Sequence, residues 1–282
     1  MGGRVRFSES QLALPLAAVF VAFFVAPLAI LVVLSLYAEP ELKTFTLAHY
    51  LKFFTDPFNY SILFDTLLLG VKATLVCLLF GYPIAWIATR AKARWQSVLV
   101  FLVILPLLTS VVVRTFSWIV ILGRQGVLNQ AALWLGLVSE PMKLLFTEVG
   151  VVMVLAQVQM PLMVLPILTV MSRMDRNLED ASRALGAGEW RTLWRVTLPL
   201  SIPGVLAGCV LTYAACVTAF VTQTLIGGAR LIYMPLHIYQ QAIGANNWPF
   251  AAAIAVIFMV AVLAVIYALN LIARRSWSDA NA

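Results

Sequence analysis

The chain has 282 residues, of which 62% are hydrophobic and only 11% are charged, and its formal net charge is +7. Soluble domains carry about 25% charged residues, so this composition excludes an ordinary water-soluble globular protein. The positive charge does not indicate nucleic-acid binding, because the basic residues lie in short clusters at the ends of apolar runs and form no single patch with interleaved aromatic residues.

Six apolar runs are long enough to cross a bilayer, which takes about 20 helical residues. They predict an all-α, polytopic membrane protein with a single transmembrane domain over residues 1–282. The first run follows Arg4 and Arg6, as in a signal peptide, but its apolar core is too long for one, and we interpret it as an uncleaved first helix. The predicted spans are 12–37, 61–88, 97–122, 148–171, 200–225 and 250–273.

The distribution of Lys and Arg predicts the orientation. The two tails and the loops after the second and fourth spans hold twelve basic residues, whereas the other three loops hold five. Basic residues are enriched on the cytoplasmic side, so both termini and the loop 173–199 are expected in the cytoplasm. The twelve are Arg4, Arg6, Arg90, Lys92, Arg94, Arg173, Arg176, Arg183, Arg191, Arg195, Arg274 and Arg275, and the five are Lys43, Lys52, Arg124, Lys143 and Arg230.

Residues that carry catalysis are scarce. The two histidines, His49 and His237, fall in predicted external loops without a partner at metal-ligand spacing. No HExxH, GxSxG or phosphate-binding P-loop sequence occurs. The three cysteines lie inside predicted spans, as small buried hydrophobic residues do. We therefore expect no metal, no cofactor and no enzymatic activity on this chain, and an energy source in a partner or an ion gradient.

One polar segment lies between two apolar runs. Residues 179–204 read EDASRALGAGEWRTLWRVTLPLSIPG. Their small residues would leave a helix surface low enough for another protein to approach closely. A glycine then interrupts the helical pattern, and a proline restarts the chain into the next apolar run. The pattern predicts a docking element, and the alternative is a solvated amphipathic loop helix.

This segment resembles the EAA signature of type I ATP-binding-cassette importer permeases, which is Glu-Ala-Ala, three residues, Gly, nine residues, then Ile-x-Leu-Pro. The spacing from glycine to proline is kept, Asp replaces Glu, Ser replaces the second Ala, and Val replaces Ile. Glu179, just upstream, leaves the register of the acidic residue ambiguous. The matching positions are Asp180, Ala181, Ser182, Gly186, Val196, Leu198 and Pro199. A second resemblance runs from Asp65 to Asn129, where TLLLGVKATLVCLLFGYPIAWIATR and LPLLTSVVVRTFSWIVILGRQGVLN are similar to the first permease subunit of spermidine/putrescine-type importers.

The resemblance implies a multi-pass subunit of a bacterial inner membrane, with a short cytoplasmic coupling helix between helices four and five. This helix would lie in a cleft of a dimeric ATPase that binds ATP and Mg²⁺, with Asp180 paired to a basic group there and Gly186 allowing close approach. A second, homologous permease would complete the pathway, and a periplasmic binding protein would deliver a small polar solute, by this resemblance a polyamine. The alternatives are an importer of an amino acid, an opine, ferric ion or another anion, and an ion-coupled secondary transporter, which usually has more spans and inverted repeats.

Charged and polar residues inside the spans are the candidates for the solute pathway, because a charge facing lipid costs about 2.5–3.5 kcal/mol or more. Asp65 and Lys72 lie seven residues apart and therefore on one helical face. Arg114 lies within the third span. In the alternative interpretation, Asp65 lies at the membrane–water interface, the long side chain of Lys72 extends towards that interface, and Arg114 caps neighbouring carbonyls. The polar candidates are Gln157 and Gln159, beside a helix that Pro161 and Pro166 would break, and Thr218, Thr222 and Gln223. Only Asp65 would attract a polycation.

Overall fold

The computed structural model describes residues 15, 17–38 and 44–280, without the side chains of residues 176 and 272–280. Arg4, Arg6 and Lys43, used above for the orientation, lie outside the described residues, as do the side chains of Arg176, Arg274 and Arg275.

Within these ranges the chain is helical and contains no β-strand, which confirms the predicted all-α class. The α-helices are α1 (Ala17–Ser35, with a π-helical turn at Val21–Val25), α2 (Ala48–Thr55), α3 (Pro57–Arg90), α4 (Ala93–Ile104), α5 (Val111–Leu122), α6 (Val127–Trp134), α7 (Glu148–Ser172), α8 (Arg176–Ala184), α9 (Glu189–Thr192), α10 (Leu198–Val217), α11 (Phe220–Gly227), α12 (Met234–Tyr239) and α13 (Trp248–Ala280). Shorter 3₁₀ or π-helical turns cover Leu105–Leu108, Leu193–Thr197, Gly228–Arg230 and Gln240–Gly244.

Six helical stretches of the described chain are long and apolar enough to cross a membrane, as predicted. They are Ala17–Ser35, Pro57–Arg90, Val111–Trp134, Glu148–Ser172, Glu189–Val217 and Trp248–Leu271, and a shorter apolar helix covers Ala93–Leu108.

The prediction of one continuous third span over 97–122 was wrong. Helix α4 tightens into the 3₁₀ turn Leu105–Leu108, where Pro106 removes a backbone donor. Thr109 and Ser110 then have extended backbones, with ψ of 146° and 132°, before α5 begins. The stretch therefore consists of two helices separated by a two-residue break.

The fifth span, predicted as 200–225, also divides. Helix α10 ends at Val217, Thr218 and Ala219 leave the helical conformation, and α11 begins at Phe220. The hydroxyl of Thr218 donates to the carbonyl of Ala214 at 2.7 Å, a local bond that competes with helix continuation. Helix α7, by contrast, continues through Pro161 and Pro166, so the predicted break there was wrong.

The described residues up to Tyr60 form one compact unit with His237–Val260, and Ser61–Leu236 forms a second with the described residues after Val260. The single-domain boundaries 1–282 and the loop limits 173–199 stay predictions.

The first unit contains a buried polar chain around His237. Asn59 donates through Nδ2 to Asp56, so its Oδ1 accepts from Nε2–H of His237 at 2.9 Å. Burial lowers the pKa of His237, and the charge of Asp56 partly opposes this. His237 therefore serves as a neutral donor inside the unit. His49 donates to the carbonyl of Tyr37. The two histidines lie on short helices, His237 on α12 and His49 on α2, within the segments between the membrane-length stretches.

The second unit is built on α7, whose buried residues form two apolar clusters with α3, α10 and α11. Glycines let these helices approach closely. A Cβ on Gly208 would lie 3.0 Å from the carbonyl oxygen of Met163, and one on Gly70 would lie 2.3 Å from Val217. Close contact between small residues is how helices pack in a bilayer, where apolar burial gives little driving force between helices.

Asn129 fixes the segment between α6 and α7. Its fully buried amide donates to the carbonyls of Gly123 and Met142 at 3.0 and 3.1 Å and accepts from the backbone N–H of Met142 at 2.8 Å. One side chain thus satisfies two backbone groups of the segment after α6, at Met142, and one of the turn before α6, at Gly123.

We expect Asn129→Ala to lower the free energy of unfolding by about 1–3 kcal/mol, because it leaves buried backbone groups unpaired. The matched control is Gln130→Ala, which removes one exposed bond to the carbonyl of Gln125. Thermal unfolding of both variants in detergent checks the prediction, and equal midpoints for the two would contradict it.

Candidate functional site: a cavity between helix breaks and an exposed charge-rich segment

The two helix breaks of the second unit open onto one cavity of about 500 Å³. The α4–α5 and α10–α11 breaks, with a face of α7, supply its wall. The lining residues are Leu107, Thr109, Val111, Arg114, Val158, Gln159, Ala215, Thr218, Ala219, Phe220, Val221 and Thr222. Irregular backbone within a membrane span is tolerated where it lines such a cavity.

Side chains satisfy the carbonyls that the breaks release. Gln223 donates from Nε2 to the carbonyls of Cys216 and Val217, at 2.8 and 3.2 Å, at the end of α10. Arg114 donates from Nη1 to the carbonyl of Pro106, at the end of α4. Two of the predicted pathway candidates, Arg114 and Gln223, therefore donate to backbone carbonyls beside the helix breaks.

Arg114 combines the two interpretations given above. Its guanidinium caps a neighbouring carbonyl, and the residue also lines the cavity, with its buried Nε without a hydrogen-bond partner. Thr115, the next residue, faces Thr222 across the break, with 3.4 Å between their hydroxyl oxygens. Among the lining residues there is no carboxylate, so the cavity carries one fixed positive charge, hydroxyls and a carboxamide.

The two glutamines predicted on α7 line different cavities. Gln157 accepts from Trp118 Nε1 at 3.1 Å and lines a separate, mostly apolar cavity of about 440 Å³. Gln159, two residues on, lines the first cavity and donates to the carbonyl of Ala215. The structure thus brings Arg114, Gln159, Thr218 and Thr222 together and separates Gln157 and Gln223 from them.

Lys72 has a partner that the sequence did not indicate. Its ammonium lies 2.5 Å from the carboxylate of Glu148, the first residue of α7, and both side chains are half-exposed. Asp65 is exposed on the same face of α3, seven residues before Lys72 and about two turns away. Burial raises the pKa of the Tyr233 phenol, and the negative charges of Glu148 and Asp65 raise it further. Two carboxylates and one ammonium therefore share this region. The position of an acidic residue at the start of a span, directly after Thr147, was the available clue to Glu148.

The charge-rich segment between α7 and α10 begins with α8, which Asp175 caps by accepting from the N–H of Asn177. The helix ends where Gly186 adopts a φ of +83°. The N–H of Ala187 bonds to the carbonyl of Ser182, and that of Gly186 to Arg183. This pairing is the Schellman motif, which needs a left-handed residue at the glycine position.

A Cβ on Gly186 would meet nothing within 4 Å in this chain, so its backbone conformation explains the glycine without a close contact. Leu185 before it is 89% exposed, and Trp190 on α9 is 75% exposed. These two apolar side chains were not predicted as part of the docking surface. Their position in a charge-rich segment was the only clue.

The two acidic residues of the segment have different surroundings. Asp180 and Ala181 are exposed, whereas Glu179 is turned towards its own chain and bonds to Arg90 and Thr197. Ser182 bonds to Thr192 of α9 at 3.1 Å. Leu198 and Pro199 form the partly buried first turn of α10.

Six apolar spans, helix breaks around a polar cavity and an exposed, charge-rich helix between two spans are typical of a membrane transport subunit. Over residues 78–278 the chain matches the family described as binding-protein-dependent transport system inner membrane component. The chain belongs to this family and is a permease subunit of an ATP-binding-cassette importer, a transport channel of the inner membrane and not an enzyme.

Individual relatives agree with this assignment. The chain is 32% identical to the spermidine/putrescine transport system permease protein PotB of Haemophilus influenzae, over 86% of this chain and 84% of that protein. It is 34% identical to PotB of Escherichia coli K12, over 74% of this chain and 76% of that protein. The fold is similar to that of a chain of the bacterial alginate ABC transporter, crystallised in complex with an alginate pentasaccharide-bound periplasmic protein. The TM-score is 0.77 at 18% identity, covering 95% of this chain and 94% of that chain.

Two substitutions at Gly186 separate its backbone role from close approach to a partner. If the left-handed φ is the requirement, Gly186→Ala costs about 1 kcal/mol and Gly186→Asn costs less, since Asn tolerates this conformation better. If close approach is the requirement, the larger Asn is the more damaging of the two. We expect the first order, measured as ATPase retained on the purified complex.

The matched control for this series is Gly188→Ala. Gly188 also has open space around it but has a φ of −69°, so the added methyl group should change little. A loss of ATPase in Gly188→Ala equal to that in Gly186→Ala would contradict the backbone explanation.

Proposed function

We propose that this subunit forms half of the pathway of an importer for a polyamine of the spermidine/putrescine class. A second, homologous permease forms the other half, a dimeric ATPase docks on the cytoplasmic side, and a periplasmic binding protein delivers the solute. ATP and Mg²⁺ bind to the ATPase, and this chain carries no cofactor of its own.

One observation supports the assignment of a polyamine as the solute. The PotB proteins of Haemophilus influenzae and Escherichia coli, whose names state spermidine/putrescine transport, align with this chain along 84% and 76% of their lengths. A shared family alone leaves the solute open, whereas similarity along most of both chains favours a shared solute class.

The charges at the outer end of α3 suit a cationic solute. Glu148 is paired with Lys72, and Asp65 has no ion pair in the described part of the chain. The three groups together carry one net negative charge, and Asp65 is exposed to an arriving ligand. An opposite charge raises the local concentration of a charged solute and its rate of association.

On the cytoplasmic side, we propose that the exposed face of α8 and the following turn dock in the ATPase. Asp180 pairs with a basic group, and Leu185 and Trp190 supply the apolar contact that an interface core requires. The docking set is Asp180, Ala181, Ser182, Gly186, Leu198 and Pro199, within the loop 173–199.

The proposed partner and the proposed orientation rest on two separate observations. The alginate transporter with a similar fold was solved in complex with a solute-bound periplasmic protein, which supports a partner of that kind here. We propose that both termini and the docking segment face the cytoplasm, because the basic residues are biased twelve to five towards that side.

A second candidate is an importer of an anionic solute, and Arg114 favours it. The cavity between the helix breaks holds one guanidinium and no carboxylate, and Nε of Arg114 has no partner. A carboxylate or oxyanion would bind there directly. Amino acids, opines and ferric complexes with anionic ligands belong to this candidate class.

Uptake of radiolabelled spermidine and putrescine by cells that lack other polyamine importers tests the proposal. We expect Asp65→Asn to reduce uptake about tenfold, by loss of about 1.4 kcal/mol of attraction, with the complex still assembled. Asp65→Glu is the matched control and should retain uptake. Arg114→Ala should instead lower the thermal stability of the complex, because the carbonyl of Pro106 loses its charged donor and keeps only the bonds from Thr109.

If the solute is anionic, the wild-type complex takes up neither polyamine. In that case the cognate binding protein is stabilised in a thermal-shift assay by an amino acid, an opine or an oxyanion and not by spermidine. That outcome rejects the polyamine proposal and leaves the importer assignment unchanged.

Introduced cysteines test the orientation. An impermeant maleimide should label Lys143→Cys and Arg230→Cys in intact cells, and should label Glu189→Cys only after the cells are opened. All three native side chains are exposed, so access depends on the side of the membrane. The chain without an added cysteine gives the background, and the reversed pattern would overturn the orientation.

A further inference from the structure

Glu179 joins three helical elements of the second unit. One oxygen of its carboxylate, Oε1, accepts from Nη2 of Arg90 at 2.5 Å and from the hydroxyl of Thr197 at 2.8 Å. Glu179 lies on α8, Arg90 is the last residue of α3, and Thr197 ends the turn that leads into α10. The carboxylate therefore holds the docking helix to the cytoplasmic ends of two membrane spans.

Each partner of this carboxylate is itself fixed. The guanidinium of Arg90 lies over the ring of Trp86, with 4.5 Å between its carbon and the ring centroid, and at the helix end where a positive charge is favourable. Thr197 is buried, and the Glu179 side chain is only 19% exposed. A charge-assisted bond that is partly removed from water is stronger than an exposed surface ion pair.

The contacts around the carboxylate extend into the membrane domain. Ser201, one turn into α10, donates to the carbonyl of Leu198, so its oxygen accepts from the hydroxyl of Tyr82 on α3 at 3.1 Å. A polar cavity of about 290 Å³, lined by Arg90, Glu179 and Thr197 among others, lies beside the carboxylate. Close packing is absent on that side of the contact, so the hydrogen bonds carry much of the connection.

We infer that Arg90, Glu179 and Thr197 form a clamp that transmits movement of the docking helix to α3 and α10. Glu179 is a positioning residue in this role, and it does not contact the ATPase. The inference rests on the proposed docking of α8. It gives the two neighbouring acidic residues different roles, since Asp180 points outwards to the ATPase and Glu179 points inwards to the clamp. A chain without the clamp still binds the ATPase but no longer converts its closure into rearrangement of the spans.

The test uses the whole purified complex and a readout that does not depend on the solute. Thr218→Cys places a thiol in the cavity, and its labelling rate is measured with and without ATP and vanadate. Glu179→Gln removes the charge and Thr197→Val removes the hydroxyl, both with little change of shape. We expect each to retain the ATPase and to reduce the ATP-dependent change in labelling rate about tenfold, the effect of losing one charge-assisted bond.

Two further variants distinguish the clamp from a general structural role. Arg90→Glu combined with Glu179→Arg restores an ion pair of opposite sense, and it should recover most of the response that Arg90→Glu alone abolishes. Glu189→Gln, on the neighbouring helix, is the matched control, because its carboxylate is exposed and lies 3.8 Å from Arg183. It should behave as the wild type.

A normal ATP-dependent response in Glu179→Gln would overturn the inference, and so would loss of the ATPase from that variant, which would make Glu179 a docking residue. The proposed docking fails in a different way, if Asp180→Asn and Leu185→Asp both retain the ATPase.

Discussion

The need to satisfy every backbone polar group inside the membrane shapes the second unit. A helix that breaks within hydrocarbon leaves carbonyls whose desolvation costs several kcal/mol each. The chain breaks at Thr109–Ser110 and at Thr218–Ala219, and it supplies the missing donors from Arg114 and Gln223. These two side chains, together with Thr109, which also donates to the carbonyl of Pro106, stabilise the breaks on either side of the cavity.

The same constraint explains which parts of the fold were readable in the sequence. Long apolar runs are detectable because a span needs about 20 such residues, and all six predicted runs contain membrane-length helices or parts of them. A two-residue break does not change the composition of a run, so the divisions of the third and fifth spans were missed. Pro106 and Thr218 favour the breaks locally, but the donors that satisfy the released carbonyls do not follow the sequence periodicity, since Arg114 lies eight residues from its acceptor.

The site was readable to a smaller extent, for a related reason. Residue types marked the charged and polar candidates, but the partners that define their roles are distant in sequence. Lys72 and Glu148 are 76 residues apart, and Arg90 and Glu179 are 89 apart. The structure turns Glu179 inwards and leaves Asp180 exposed, a difference that the sequence pattern does not show. The spacing of the signature, in contrast, has a local cause, since Gly186 must end α8 in a left-handed conformation.

On the proposed function, the charges along the second unit differ between the outer region and the cavity. Asp65 and Glu148 with Lys72 give a net negative charge near the end of α3, whereas the cavity offers hydroxyls, carbonyls and one guanidinium already bonded to Pro106. A polyamine would be attracted to the first region, and in the second it would meet neutral acceptors beside one guanidinium, whose positive charge opposes retention of a polycation. A pathway must bind its solute well enough to admit it and weakly enough to release it. A carboxylate in the cavity would bind a polycation tightly and slow its release. The absence of a carboxylate from the lining therefore favours passage of a polyamine through the cavity.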